Sequence, residues 1–171
     1  MLPRVLKNFN VIVDGRPMAG IAEELVLPSL ERKMDDYRAG GMIGPASLDL
    51  GLEGLKLEFT LAEFSRDIIT AWGLSDAGGI NTRFLGAARS DDGASGVDAI
   101  EVSVRGRWKK LDQGTVKNAD LAKMKVEMPL TYYRYSLNGE VLIEIDLITG
   151  KEVVGGVDRS AEVMRAIGTA S

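Results

Sequence analysis

The side chains that could do chemistry in this chain are carboxylates, lysines, tyrosines and serines, because its 171 residues include no histidine and no cysteine. Those two absences exclude a Cys/His zinc site, a thiol nucleophile, a disulfide framework and any catalytic triad that uses imidazole as its base. An enzyme of this composition needs a cleft built from the remaining residue types, or a bound cofactor.

Three short motifs are candidates for such a site. Glu144 and Asp146 lie on one face of a predicted strand, as an acid/base pair would, but no nearby residue type would drive their pKa values apart. The Asp-Asp-Gly turn at 91–93 lacks the other ligands of a calcium loop, and the glycine pair at 40–41 lacks the rest of a phosphate-binding loop. We therefore predict no catalytic residue, no cofactor, no metal ligand and no enzymatic activity.

The composition favours one domain over residues 1–171. Hydrophobic residues make up 45% of the chain, and 21 Lys+Arg against 25 Asp+Glu give a net charge of −4. The mildly acidic net charge argues against a basic surface that binds nucleic acid. The cations within 105–110 are typical of the solvated face of a strand. The apolar runs fall short of the roughly 20 residues that cross a bilayer, so we expect a soluble protein made in the cytoplasm.

Alternation of apolar and polar residues predicts a mainly β fold. It is clearest at 48–52, 55–61, 100–105, 123–132 and 141–147, which is typical of antiparallel strands with one solvated face. The alternation slips by one residue at Gly54, which predicts a bulge or a bend. Asp-Gly at 14–15 and Asn-Gly at 138–139 predict hairpin turns.

Two segments have helical spacing instead. The pattern predicts a helix at about 62–72, with Phe64, Ile68 and Trp72 facing the sheet, and a shorter helix at 158–167. The predicted fold is a β-barrel or sandwich with one flanking α-helix and a short C-terminal helix.

Three stretches fit neither pattern. The segments 73–81 and 89–97 are predicted loops, and the third stretch is the charged, glycine-tipped segment at about 29–46. Its pattern alone indicates a short charged helix. A long excursion of this kind from a compact domain is uncommon and usually functional.

Tyrosines on both faces of the strand near residue 133 suggest self-association, because tyrosine is enriched in buried interface cores. Exposed strand edges also need partners, and pairing with neighbouring copies removes them. A different class remains open at this point. A small β-sandwich ligand-binding module would show an aromatic platform or a carboxylate cleft.

Five segments carry a resemblance that covers about residues 2–168. They are LPRVLKNFNVIVDGRPMAG, LPSLERKMDDYRAGGMIGPASLDLGLEGL, VSVRGRWKKLDQGT, TYYRYSLNGEVLIEIDLITG and GVDR before the last helix. In this order they resemble the tail tube protein family of contractile-tailed bacteriophages and of R-type pyocins and related tailocins. The most specific motifs are YRAGGM at 37–42, IEID at 143–146 and GVDR at 156–159.

The resemblance implies a tail-tube fold similar to the haemolysin-coregulated protein of type VI secretion. Six copies would form a ring by joining their sheets into an inner barrel, and the rings would stack into a rigid tube inside a contractile sheath. The segment at about 29–46 then becomes an extended charged arm rather than a helix. Candidate contacts between subunits and rings are Tyr37, Arg38, Gly40, Gly41, Met42, Pro45, Tyr132, Tyr133 and Tyr135.

The same resemblance implies that polar strand faces line the lumen of the tube. Polar, like-charged walls give a passing polyanion no adhesive patch, and the net charge predicts a neutral-to-acidic bore. Candidate lumen residues are Asp49, Glu53, Lys56, Glu58, Glu144 and Asp146.

The implied partners are further copies of the chain, a sheath protein, baseplate and tail terminator proteins, and a tape measure protein in the lumen. DNA would pass without specific binding, and no direct membrane anchor is expected. Assembly would occur in the bacterial cytoplasm, and the mature location would be a virion tail or a released extracellular tailocin. Both particles use such a tube, and a type VI-like secretion tube is the alternative.

Overall fold

A computed structural model describes residues 1–76, 79–93 and 96–169, and most of them lie in β-strands. The strands are β1 Arg4–Val13, β2 Arg16–Pro17, β3 Ala22–Val26, β4 Arg32–Tyr37, β5 Ala46–Leu52, β6 Lys56–Leu61, β7 Ile80–Ser90, β8 Asp98–Gly106, β9 Lys110–Asp112, β10 Met124–Leu137, β11 Glu140–Asp146, β12 Lys151–Val154 and β13 Val157–Asp158. The helices are α1 Arg66–Thr70, continued by one 3₁₀ turn at Ala71–Gly73, and α2 Ala161–Ala166. The predicted mainly β fold is confirmed.

The long strand β10 belongs to two sheets. Residues 130–137 pair with β8 and β11 in a sheet of order β13-β12-β11-β10-β8-β7-β1-β2. Residues 124–129 pair instead with β6 and β9, and β3 extends that second sheet beyond β6. All of these pairings are antiparallel, as the alternating sequence pattern predicts.

The core lies between the two sheets. Leu57, Phe59 and Leu61 of β6 are buried together with Val102 and Val104 of β8 in one hydrophobic cluster. Because side chains alternate along a strand, each of these runs places its polar residues on the opposite face. The result is a sandwich with two polar outer surfaces.

The helix α1 is fixed to this core by two contacts. Ile68 is buried, and its backbone carbonyl accepts a hydrogen bond of 2.9 Å from the Trp108 indole N–H. The helix is shorter than the predicted 62–72, because β6 and an extended segment run up to residue 65. The prediction that Phe64 and Trp72 face the sheet is wrong, since 45% and 53% of their surfaces are exposed.

The other element boundaries are close to the predicted ones. The second helix begins at Ala161 because Asp158 ends β13 and accepts a hydrogen bond from the Ser160 N–H. The chain leaves β5 at Leu52 and enters β6 at Lys56, so the predicted bend at Gly54 is confirmed. The predicted loops are shorter than 73–81 and 89–97 because β7 occupies Ile80–Ser90; positions 77–78 and 94–95 lie outside the described residues.

The change of sheet along β10 depends on a close backbone approach at Gly106. Gly106 is paired with Leu130 across the point where β10 changes neighbours, and a Cβ atom there would overlap the carbonyl oxygen of Pro129. A side chain at this position must push β8 and β10 apart.

We expect Gly106→Ala to lower the free energy of unfolding of the dissociated subunit by about 1–3 kcal/mol, the usual cost of overpacking. The measurement is urea unfolding followed by circular dichroism. Gly54→Ala is the matched control, because a Cβ atom at Gly54 meets no other atom within 4 Å. Equal stabilities of the two variants would contradict this role of Gly106.

Candidate functional site

The segment predicted as an arm is a two-stranded hairpin separate from both sheets of the body. β4 and β5 pair antiparallel with each other, from Arg32 opposite Leu52 to Tyr37 opposite Ala46. Every residue of β4 is exposed, and so is every residue of β5 except Leu52. The short charged helix indicated by pattern alone is wrong, because the segment is an extended hairpin, and that hairpin reaches Leu52 rather than residue 46.

The tip of the hairpin is a glycine-dependent turn. Gly41 has a φ of +89°, a left-handed conformation that L side chains rarely adopt. The Met42 N–H donates to the carbonyl of Ala39 at 3.2 Å, and Met42 is half-buried against this turn. The neighbouring candidates Arg38, Gly40 and Pro45 are exposed around it. The tip therefore presents a compact turn rather than a flexible run of glycines.

The base of the arm is held to the body by Arg32. Its guanidinium contacts Glu152 of β12 and also Asp49 of β5, the latter at 3.2 Å. These contacts raise the pKa of Arg32, chiefly through the hydrogen bond with Glu152. The Glu53 N–H donates to the carbonyl of Glu31 at 2.9 Å and closes the hairpin beside them. One cation thus links both arm strands to the body.

A second feature is a row of charged side chains across the outer face of the larger sheet. Both Arg83 Nη2 at 3.0 Å and Arg134 Nη2 at 3.8 Å approach the same oxygen of Glu101. Arg134 is directly opposite Glu144 in the register, and Lys151 Nζ donates to Glu144 at 2.6 Å. We call these five residues the charge ladder, which runs over β7, β8, β10, β11 and β12.

An aromatic side chain packs along the charge ladder. The Tyr132 hydroxyl donates to Glu144 at 3.1 Å, and the guanidinium of Arg105 lies 4.2 Å from the ring centroid. Partial burial and the hydrogen bond to Glu144 raise the pKa of Tyr132. The face therefore alternates positive and negative groups that neutralise one another, so a strongly basic bore is not expected if this face lines a lumen.

The environment of Glu144 argues against general acid catalysis. The hydrogen bond from Lys151 lowers its pKa, and the hydrogen bond from Tyr132 acts in the same direction. A general acid at neutral pH needs the opposite shift. Asp146 accepts hydrogen bonds from the N–H groups of Ile148 and Thr149, so its carboxylate caps a turn.

The six lumen candidates lie on three different surfaces. Glu144 and Asp146 share the outer face of the larger sheet with the charge ladder. Lys56 and Glu58 lie on the outer face of the smaller sheet, where Lys56 Nζ is 3.4 Å from Glu58. Asp49 lies in the arm and Glu53 at its base. One subunit therefore does not bring all six together.

The three tyrosines of β10 also separate. Tyr133 is 5% exposed and belongs to the core, so the expectation that it anchors an interface is corrected: its burial needs no neighbouring subunit. Tyr135 is half-buried against the same core, and Tyr132 lies on the opposite, polar face.

Residue patterns alone do not identify most of the charge ladder or the contact that holds the arm. The residues without a functional signal in the sequence are Arg32, Arg83, Glu101, Arg134 and Lys151. Polar residues at every second position over 101–105, two of them charged, are the available signal for the ladder, but their partners lie on other strands. Within the described residues, no group of three or more carboxylates, histidines or cysteines is placed to hold a metal ion. No helix there is long and apolar enough to cross a bilayer.

Comparison with known proteins identifies the family of this chain. The family model described as "Phage tail tube protein FII" matches residues 3–168. The chain belongs to this family of phage tail tube proteins. The tail tube protein of Escherichia phage P2 is 40% identical over 98% of both chains. The major tail tube protein of Serratia phage KSP20 is 33% identical over 86% of this chain and 85% of its own.

Solved structures with little sequence identity share the fold of this tail tube family member. The chain aligns with a PVC sheath–tube complex of an extracellular contractile injection system in the extended state with a TM-score of 0.58, 12% identity, and coverage of 78% and 91% of the two chains. The chain also aligns with a PVC sheath/tube terminator in the extended state, with a TM-score of 0.59 and 12% identity. That alignment covers 80% of this chain and 98% of the terminator chain. The protein thus has the tube fold of contractile injection systems and the structural role of a tail tube protein.

The lowered pKa of Glu144 predicts a pH effect on stability. Its ionised carboxylate stabilises the fold at pH values above the ordinary glutamate pKa of about 4.3. This contribution is lost as the pH falls through the lower pKa that Glu144 has in the folded state. We expect Glu144→Gln to be less stable than the wild type at pH 7 and to lose that deficit progressively as the pH falls below the ordinary glutamate pKa.

Urea midpoints of the dissociated subunit, measured in half-unit steps of pH, test this expectation. Glu140→Gln is the control, because Glu140 lies on the same strand, is exposed, and its side chain makes no hydrogen bond or ion pair among the described residues. A deficit of Glu144→Gln that does not shrink as the pH is lowered, over the range in which the wild type stays folded, would contradict the stabilising role of the ionised group.

Proposed function

We propose that the chain forms hexameric rings that stack into the rigid inner tube of a contractile tail. The tube serves as conduit and as piston when the sheath contracts. The observation that carries this proposal is the match over residues 3–168 to the phage tail tube family, together with relatives that are similar over most of their length. Residues 1–171 act in it as one tube domain with a projecting arm.

The free edge of the larger sheet supports ring formation. Among the described residues, only β2 pairs with the outer edge of β1, at Ile12 and Val13, which leaves residues 4–10 with an unpaired backbone edge. The opposite end of the sheet is the two-residue strand β13. An unpaired edge is a template for another chain, and head-to-tail pairing of two different edges closes a ring when the rotation permits.

We assign the lumen to the outer face of the larger sheet, because Glu144 and Asp146 lie there with the charge ladder. Its cations Arg83, Arg134 and Lys151 are each close to a carboxylate, so a polyanion meets a compensated wall. Cargo can then slide without the attraction that an uncompensated basic surface exerts. Lys56, Glu58, Asp49 and Glu53 belong to other surfaces in this arrangement.

The comparisons suggest two of the proposed partners. The similar PVC structures include a sheath–tube complex and a sheath/tube terminator. By analogy we propose that this chain contacts a sheath protein and a tail terminator, with a baseplate below and a tape measure protein in the lumen. Assembly in the bacterial cytoplasm is followed by a mature location in a virion tail or a released tailocin, and DNA passes through without specific binding in a phage.

Negative-stain microscopy of the purified protein tests this function. We expect hollow tubes of stacked rings with sixfold symmetry in end views, because every copy offers the same two edges. A protein that stays monomeric at all concentrations, or a closed ring that binds a small molecule without stacking, would contradict it.

The arm has its own test. Gly41→Pro cannot adopt the observed φ of +89°, because proline fixes φ near −65°, so the tip must rearrange. We expect a folded monomer, judged by circular dichroism, that no longer forms tubes. The control Gly40→Ala changes the adjacent glycine, whose added Cβ atom meets nothing within 4 Å. Tubes of normal length from Gly41→Pro would refute the role of the arm.

A further inference from the structure

A groove beside the C-terminal helix has walls that come from both the arm and the body. It has a volume of about 440 Å³ and lies between the base of the arm, the turn from β11 to β12, and α2. We call it the helix groove. Its apolar walls are formed by Leu52, Ile145, Leu147, Val163 and Met164.

The outer wall of the helix groove is open to solvent in the isolated subunit. Leu147 is 42% exposed and Val163 is 59% exposed, and the adjacent Ile167 is 62% exposed. Exposed apolar side chains that cluster in this way mark surfaces that bind another macromolecule. A charged rim surrounds the groove, and it includes Arg159.

One face of the arm has matching chemistry. The register places Tyr37, Leu48 and Leu50 on the same face of the hairpin, and about half of each side chain is exposed. Asp35 lies on this face opposite Leu48. The other face of the hairpin is more polar, since Asp36 accepts a hydrogen bond from Ser47 there at 2.7 Å.

The charges on the two surfaces are complementary and uncompensated. Within the part of the chain that the structure describes, Asp35 forms no ion pair and neither does Arg159. The other cations of the groove are already engaged: Arg32 with Glu152, and Lys151 with Glu144.

The arm of the same chain cannot supply this contact. Arg32 and Leu52 at its base already line the helix groove, and the extended strand carries Tyr37 roughly 17 Å beyond Arg32. A second copy offers the same arm face free of this restriction. Its distal residues can then enter the groove from outside.

We propose that the apolar face of one arm docks in the helix groove of a neighbouring copy, with Asp35 beside Arg159. The contact rests on the proposed tube assembly and names the receiving surface for the arm. It buries Tyr37, Leu48 and Leu50 against Leu147 and Val163, and it neutralises a charge on each side of the interface.

Charge reversal tests the contact. We expect Asp35→Arg alone and Arg159→Glu alone each to raise the protein concentration needed for tube formation by about tenfold or more, because each places like charges together. The double variant restores the opposite pair and is expected to assemble near the wild-type concentration. Sedimentation of the tubes measures all three.

Two controls separate this contact from general charge effects. Asp36→Arg makes the same change on the other face of β4, and Arg165→Glu makes it in α2, which begins two residues after Arg159, but outside the groove. Both are expected to polymerise within about threefold of the wild type, as surface pairs contribute little. If the controls lose assembly as strongly as the test variants, the specific pairing is overturned.

A cross-link gives an independent measurement, because the chain has no cysteine of its own. We expect Leu48→Cys protein mixed with Val163→Cys protein to form a disulfide-linked dimer on mild oxidation during assembly. Any such link must join two copies, since each chain carries one thiol. Replacing Val163→Cys by Glu140→Cys in the mixture provides the control and should leave the mixture unlinked.

The outcomes distinguish this contact from the proposed function. If the wild type forms no tubes, the tube assembly itself fails. If the wild type forms tubes while the reversals assemble normally and no cross-link appears, the docking alone is overturned. Normal tubes from the reversals that fail to bind a sheath would assign the arm face to the sheath, which also overturns it.

Discussion

The body of this protein depends on one strand pairing with two sheets. The first six residues of β10 pair with β6 and β9, and the remainder pairs with β8 and β11. Pro129 and the facing Gly106 permit the change, since a strand turns a corner where its ladder is interrupted and its neighbour has no side chain. Both sheets then share one core, and their outer faces remain available for other tasks.

The two sides of the larger sheet have different roles. The core side of the larger sheet holds Val104, Tyr133 and Ile145, while its outer side holds the charge ladder. Exposed ion pairs add little to the free energy of folding, so the ladder is better explained by the surface it creates than by stability. The arm is similarly uninvolved in the core. Stability resides in the sandwich, and the surfaces for partners are carried on its faces and at its projections.

The sequence predicted those features in which a local pattern and the burial of one face agree. Alternation located β6, β8, β10 and β11, because a half-buried strand requires that period. The spacing of Leu30, Met34 and Tyr37 indicates a helix. The segment forms a hairpin instead, because it pairs with the strand at 46–52. The charge ladder could not be predicted, because its partners depend on register shifts in β10 after Leu130 and after Tyr135 that no residue pattern reveals.

The hairpin of the arm is formed by residues close in sequence, with Tyr37 paired to Ala46 and Arg32 to Leu52. Such a hairpin closes only a short loop, so its backbone hydrogen bonds form without a strand that is distant in the sequence. The arm is therefore ordered before it meets another molecule. A preorganised element loses less conformational entropy on association, so more of the free energy of each contact is retained in the assembled particle.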